Sequence, residues 1–249
     1  MITYFRGIGR FFIFLFASLY YLTPILIRAA VRGDDLAYAL ELRRRWANVC
    51  SRLVGVRIDV NEPPEVEGPC LYVGNHRSYF DPVAVLRDVK ALPVAKAEVS
   101  SWPFIGFAAR ATGVMYVKRE NRDSRKRTVE AIEDTLKDGF SVLIYPEGTT
   151  HVEVKTQEFR QGGFRVAAEL GVPVVPIAIE YGRVEDAWVG TDTFIPHFLT
   201  TFGRRHIYVK MRYGQPIVDT DYERLVKRTQ DWIDGEMAEM RKGILSPLN

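Results

Sequence analysis

The sequence predicts an α/β protein with a largely parallel central sheet flanked by helices, preceded by a membrane-associated two-helix motif. Three observations predict this. Past residue 55, short apolar runs alternate with amphipathic helical stretches, the pattern of a parallel sheet wrapped by helices. Before that point lies an uncharged run from Phe11 to Ile27, followed by a basic amphipathic segment. The 249 residues are 47% hydrophobic and 26% charged, enough apolar surface for a large core and far from a disordered composition. A composition break near residues 54 to 66, where Pro63-Pro64 open a loop, divides a helical hairpin (1–54) from an α/β domain (55–249).

The first segment, FFIFLFASLYYLTPILI, covers about 26 Å as a helix, slightly less than the ~30 Å hydrocarbon core of a bilayer. Pro24 lies inside it and should bend the helix near its end. Arg6 and Arg10 precede the run and Arg28 and Arg32 follow it, so neither side holds the positive excess that directs a crossing. A segment that enters one leaflet and returns fits this symmetry. The competing readings are a buried core helix and a signal peptide, although Arg28 stands where cleavage after Ala30 needs a small residue. Asp34 or Asp35 then caps a second helix. Its Leu36, Leu42, Trp46, Val49 and Leu53 share one side, flanked by Arg43-Arg44-Arg45. That helix reads as lying at the interface, paired with the first, or as an ordinary surface helix packed on the domain.

In the remainder, strands are expected over 56–60, 70–73, 92–95, 114–117, 141–145, 172–180 and 207–213. Helices follow Asp81, Arg122 and Gly162, and a last one runs from 222 to about 242. In the helix after Arg122, Val129, Ile132, Leu136 and Phe140 keep an apolar face. Pro173 and Pro176 mark the sixth strand as bulged or edge-like.

Three segments share one topological property. His76 follows the second strand, Arg119 the fourth, and Glu147-Gly148-Thr149 the fifth. Ligands of open α/β sheets bind outside the carboxyl ends of strands, so parallel pairing would bring the three to one crevice. In Asn75-His76-Arg77-Ser78-Tyr79-Phe80-Asp81 a histidine has a carboxylate five residues on. A neutral imidazole oriented by an aspartate takes a proton from a hydroxyl, the chemistry of acyl transfer to an alcohol. The spacing alone is a weak signal, because His76 also fits a structural histidine and Asp81-Pro82 a capped helix start. Tyr145-Pro146-Glu147-Gly148 suits a type I turn. It either leaves Glu147 solvated or presents backbone N–H groups and Thr149 to an anion or a hydroxyl. Lys118, Arg119, Arg122 and Arg125 form an exposed basic helix start or an anion site, with Arg119 suited to bidentate phosphate contact.

Composition narrows the partners. A net charge of +3 is too small to argue nucleic acid and is compatible with an anionic membrane surface. Two cysteines, Cys50 and Cys70, and four histidines show no metal-ligand spacing, and the cysteine usage favours a reducing compartment over a disulfide framework.

Taken in order, NHRSYFD, VAKAEVSSWPFIGFAARATGVMYVKR, YPEGT and GVPVVPIAI resemble the glycerolipid acyltransferase family across roughly residues 70 to 180, most closely its bacterial-type 1-acylglycerol-3-phosphate acyltransferases. The apolar two-helix amino terminus looks like the membrane motif of that family. The resemblance implies an enzyme without metal or other cofactor. It would move an acyl group from acyl-CoA or acyl carrier protein to the sn-2 hydroxyl of lysophosphatidic acid, giving phosphatidic acid, at the cytoplasmic face of the inner membrane. It implies His76 as catalytic base, Asp81 as the carboxylate orienting it, and Arg119 on the acceptor phosphate. Glu147, Gly148 and Thr149 match the family's EGT element in acceptor binding, and Lys96 and Glu98 its Lys-x-Glu block. The family often places arginine directly after EGT, whereas this chain has Thr150 and His151. Lys155, Arg160 or Arg165 would have to supply that cation. The departure opens a second reading, the same O-acylation of another lyso-lipid such as an amino-acid-containing one. A non-catalytic membrane-bound module that has kept the fold is a third.

Overall fold

The computed structural model describes residues 2–101, 105–117, 122–190 and 192–242. The uncharged run folds into a helix longer than expected: α1 spans Ile2–Arg32 and continues through Pro24, which forfeits one backbone hydrogen bond without ending the helix. Its length is about 46 Å at 1.5 Å per residue, and the expected turn-back inside the segment does not occur. The reversal comes at Gly33, whose φ of 84° suits glycine. Asp35 then caps α2 (Leu36–Leu53), accepting from the Tyr38 backbone N–H at 3.0 Å and pairing with Arg28 at 2.5 Å. The buried face of α2 is not the expected stripe. Ala39, Leu40, Arg43, Ala47 and Cys50 are buried, whereas Leu53 is exposed. The small alanines let α1 and α2 pack closely, and Arg43 turns inward because two carbonyls, those of Thr112 (2.6 Å) and Ala91, wait for it there.

On its outer side α1 leaves Ile2, Phe5, Phe12, Phe16, Tyr20 and Ile27 exposed on successive turns. Its inner side packs on α2 and on α7 (Phe194–Thr201), where the Phe11 ring meets Phe198 edge-on at 5.5 Å. Arg6 and Arg10 donate to the carbonyls of Phe202, Gly203, Arg204 and Arg205, satisfying the carboxyl-terminal end of α7 and the turn after it.

Among the described residues the sheet has the order β1-β7-β6-β2-β5-β3-β4. Its strands are β1 (Val56–Val60), β2 (Leu71–Gly74), β3 (Ala91–Lys96), β4 (Met115–Val117), β5 (Ser141–Ile144), β6 (Val174–Tyr181) and β7 (Ile207–Tyr213). Every pairing is parallel except β6 with β7. One face is covered by α1, α2, α7 and α3 (Asp81–Leu86), around Phe80, Val85, Ile177 and Phe198. The other is covered by α5 (Arg122–Lys137), α6 (Gly162–Leu170) and α8 (Tyr222–Lys242), around Ile132, Phe164, Ile233 and Met237. The expected apolar face of α5 holds at Ile132 and Leu136, which are buried.

The sixth strand corrects the reading of its prolines. β6 is interior, paired on both sides, with all eight residues buried. Pro176 fits because its carbonyl accepts from Gly214 N at 2.9 Å, so its missing N–H faces the β7 side. The antiparallel ladder there begins only at Ile177 opposite Tyr213, and no ladder bond is lost. Two helices escaped the sequence reading: α4 (Ile105–Ala111), short and glycine-containing, and α7, whose FIPHFLTT has a proline in its first turn and no polar stripe.

Candidate active site

The strand order decides which residues meet. At the carboxyl ends of β6, β2, β5 and β3, four neighbours in the sheet, stand Tyr181, His76, Tyr145 with Glu147, and Lys96 with Glu98. His76 follows β2 by two residues on a loop pinned from both sides. Asn75 exchanges hydrogen bonds with Ile179 on β6 (2.9 and 2.7 Å), and the His76 N–H donates to Glu147 Oε1 at 2.8 Å.

The expected His–Asp pair is present. His76 Nδ1 lies 2.8 Å from Asp81 Oδ2, with Asp81 fully buried and the imidazole 19% exposed. Because the partner is a carboxylate, Nδ1 carries the proton and Nε2 keeps its lone pair. Asp81 is not the expected N-cap. Phe80 holds that position, and Asp81 is the first residue of α3. Its carboxylate turns back to the loop, where Oδ2 also accepts from the backbone N–H of Arg77 (2.6 Å) and Ser78 (2.8 Å) and Oδ1 accepts from the Tyr181 hydroxyl (2.8 Å). The Tyr145 ring stacks on the imidazole, centroids 4.3 Å apart at 18°. Burial, then the charge of Asp81, pushes the phenols of Tyr145 and Tyr181 well above the ordinary tyrosine value, so both are neutral.

The turn at Tyr145–Gly148 forms as expected, with Gly148 N donating to Tyr145 O at 3.1 Å and Gly148 at φ 76°. Glu147 contradicts the solvated reading. It is buried and accepts from His76 N, from Gln157 N at 2.7 Å and from His151 Nε2. With Nε2–H given to Glu147, His151 Nδ1 accepts from Arg77 Nη1 at 3.2 Å. Arg77, fully enclosed, also reaches the His151 carbonyl (2.7 Å), the Glu153 carbonyl (2.8 Å) and Glu180 Oε1 (2.7 Å), and Arg241 of α8 joins the same Glu180 oxygen at 3.0 Å. Tyr181, His151, Glu180 and Arg241 were not singled out in the sequence. Glu180 and Tyr181 carried one signal, their position at the carboxyl end of β6; Arg241, on α8, carried none.

A cavity of about 530 Å³ opens above this layer. His76, Tyr145, Gly148, Thr149, Lys96 and Glu98 are on its wall, with Tyr79 from the loop before α3, Phe194 and Phe198 of α7 and Phe202 just after α7 closing it. Tyr79 donates toward His197 Nδ1 at 3.2 Å, and His197 Nε2 donates to the Ala187 carbonyl at 3.0 Å. Burial lowers the His197 pKa, and the ring is neutral. A second, almost wholly apolar cavity of about 220 Å³ shares the wall of Phe14, Trp46, Pro82 and Val83 and continues between α1, α2 and α4. Arg119 lies outside the described residues. Among the described residues no three His, Cys, Asp or Glu side chains gather into a metal-binding group.

The arrangement sets the His76 imidazole on the wall of a pocket, with a buried carboxylate on its Nδ1 and apolar space beside it. Known proteins share sequence and fold with this chain. The Acyltransferase family model matches residues 55–180. A lyso-ornithine lipid O-acyltransferase of Rhizobium meliloti (strain 1021) is 30% identical over 214 residues, covering 79% of this chain and 72% of its own length. A chloroplastic 1-acyl-sn-glycerol-3-phosphate acyltransferase of Brassica napus is 34% identical over 117 residues, 47% of this chain and 34% of its own. The crystal structure of the 1-acyl-sn-glycerophosphate acyltransferase PlsC from Thermotoga maritima superposes over 95% of both chains with a TM-score of 0.70 at 20% identity, a likeness of fold.

Proposed function

Because the chain belongs to the acyltransferase family, we propose that it moves a fatty acyl group from acyl-CoA or acyl carrier protein to the free hydroxyl of a lysolipid, with His76 as general base. It is an enzyme of the 1-acylglycerol-3-phosphate O-acyltransferase-like type. The observation that carries the mechanism is the His76–Asp81 contact, which leaves Nε2 unprotonated at the wall of the cavity. Nε2 takes the hydroxyl proton as the oxygen attacks the thioester carbonyl. The tetrahedral intermediate then expels the thiolate by C–S cleavage, and the imidazolium returns its proton to the sulfur. Asp81 holds the imidazole orientation and balances the imidazolium. The aromatic and aliphatic walls of the two adjoining cavities accept acyl chains, and the exposed apolar face of α1 rests on the bilayer that supplies the acceptor. The cytoplasmic face of the membrane follows from the use of acyl-CoA or acyl carrier protein.

For the acceptor, two head groups compete. Lysophosphatidic acid is the reading of the EGT turn and Arg119. A lyso-ornithine lipid is favoured by two observations: a similarity to such an enzyme that spans 79% of the chain, and a described wall where Lys96 and Glu98 offer one charge of each sign to a zwitterion. The cation missing at Thr150 is replaced by Arg160. Its guanidinium lies so close to Gly148 that a Cβ there would stand 2.7 Å from Cζ. Arg160→Gln is expected to raise the acceptor KM about tenfold and leave the donor KM unchanged, the worth of one charge-assisted contact.

The test is an acceptor panel of lysophosphatidic acid and lyso-ornithine lipid with acyl-CoA and acyl carrier protein donors, read by thiol release and lipid mass spectrometry. His76→Ala is run alongside and is expected to lose about 10²–10⁴-fold in kcat. Wild-type turnover by His76→Ala would refute the assignment.

A further inference from the structure

Four donors share the Asp81 carboxylate, and three belong to the His76 loop itself: the imidazole Nδ1–H and two backbone N–H groups. The backbone donors would be there whatever side chains the loop carried. The fourth is the hydroxyl of Tyr181, which arrives from 100 residues away at the end of β6 and reaches Oδ1 at 2.8 Å. Adjacency of β6 and β2 places it, through the register that pairs Gly74 with Ile177. We infer that Tyr181 is a positioning residue that sets the proton affinity of His76 by acting on Asp81. This inference rests on the role proposed above for His76.

The physical argument concerns how much negative charge His76 feels. A hydrogen bond to a carboxylate draws electron density away from the partner on the other oxygen. With Tyr181 donating, Asp81 stabilises the imidazolium less than an otherwise bare buried carboxylate would. The other groups around His76 do not duplicate this. Tyr145, just after β5, stacks on the ring, and its hydroxyl is buried without a partner. Glu147 accepts from the His76 backbone and from His151, and Arg77 is occupied by Glu180 and carbonyls. Lys96, at the end of β3, and Glu98, just beyond it, line the cavity with opposite charges. Tyr181 is the side chain from a distant element that touches the Asp81 carboxylate. Its phenol, neutral through burial, donates to the ionised carboxylate and also meets the Ser78 side chain.

The experiment compares the full-length protein with Tyr181→Phe, reading the His76 imidazole by NMR with labelled histidine and kcat/KM as a function of pH. Tyr181→Phe is expected to move the His76 titration up by about 0.5–1 pH unit, the share of one charged hydrogen bond felt at the neighbouring site. The acidic limb of kcat/KM should move with it, a loss of about 3–10-fold at pH values below the limb. In an Asp81→Asn background the same substitution should move nothing. A His76 titration unchanged by Tyr181→Phe overturns the inference, as does an equal shift in the Asp81→Asn background. Should Tyr181→Phe fail to fold, 3-fluorotyrosine at position 181, a stronger donor, is expected to shift the titration down, and an unmoved titration again refutes the role. The NMR reading needs no turnover, so it fails or succeeds separately from the His76→Ala assay.

Discussion

Glu147 gathers three donors on two oxygens, from His76 N, Gln157 N and His151 Nε2, and is buried while doing so. Glu147→Ala strands all three and is expected to cost about 2–4 kcal/mol in unfolding free energy. Denaturant unfolding beside the activity assay checks this. If Glu147 acted by touching the acceptor instead, the acceptor KM would rise with no change in stability. The turn that carries Glu147 was legible in Tyr145-Pro146-Glu147-Gly148, because proline and glycine encode backbone angles locally. Its burial was not legible. His151 and Gln157 come from a loop whose path depends on Arg77, Glu180 and Arg241, and no short stretch of chain contains those contacts. For the same reason His76 and Asp81 were readable as a pair, five residues apart in one short stretch of chain, whereas Tyr181 was not.

The elements were easier to read than their neighbours. Seven expected strands and four expected helices form within a few residues of their anticipated limits, because apolar runs and caps are local signals. Which strands lie side by side is set by crossover connections and packing, and the interior place of β6, despite Pro176 within it and Pro173 just before it, shows how far a local rule reaches. The apolar cavity beside the site belongs to this scale, since α1, α2, α3, β3 and α4 each give it a wall. Ala109, on that wall, is the place to fill it. Ala109→Phe is expected to shift the product profile toward shorter acyl chains while leaving turnover with short-chain donors within about threefold, because side-chain bulk displaces methylenes and touches no reacting group. Mass spectrometry of the lipid product checks it. An unchanged profile would mean that the acyl chain lies elsewhere.

For the whole molecule, buried ionisable groups make stability depend on pH and reactivity depend on folding. Burial pushes Asp186 up to about 6, against the pull of Arg204, which pairs with it, and of Arg183. A folded pKa above the unfolded one means that the folded state binds the proton more tightly. The stabilisation is therefore full below about pH 4, the unfolded range for an aspartate, and disappears as pH rises through 6. The Tm of the wild type relative to Asp186→Asn is expected to fall between pH 4 and 7, and a flat difference would contradict the assignment. Cys50 and Cys70 are buried and unpaired, and burial pushes the Cys50 thiol up to about 12. Alkylation of Cys50 should follow the rate of unfolding and not the thiolate fraction of a free cysteine.

The helix α1 keeps one flank against the enzyme and leaves the other bare along its whole length. On the proposed reading, in which that flank seats in lipid, the enzyme would meet its acceptor as a neighbour in two dimensions, so what counts would be molecules per unit of surface and not per litre. Diluting the acceptor with inert phospholipid, at constant bulk amount, should slow the reaction as surely as withholding it.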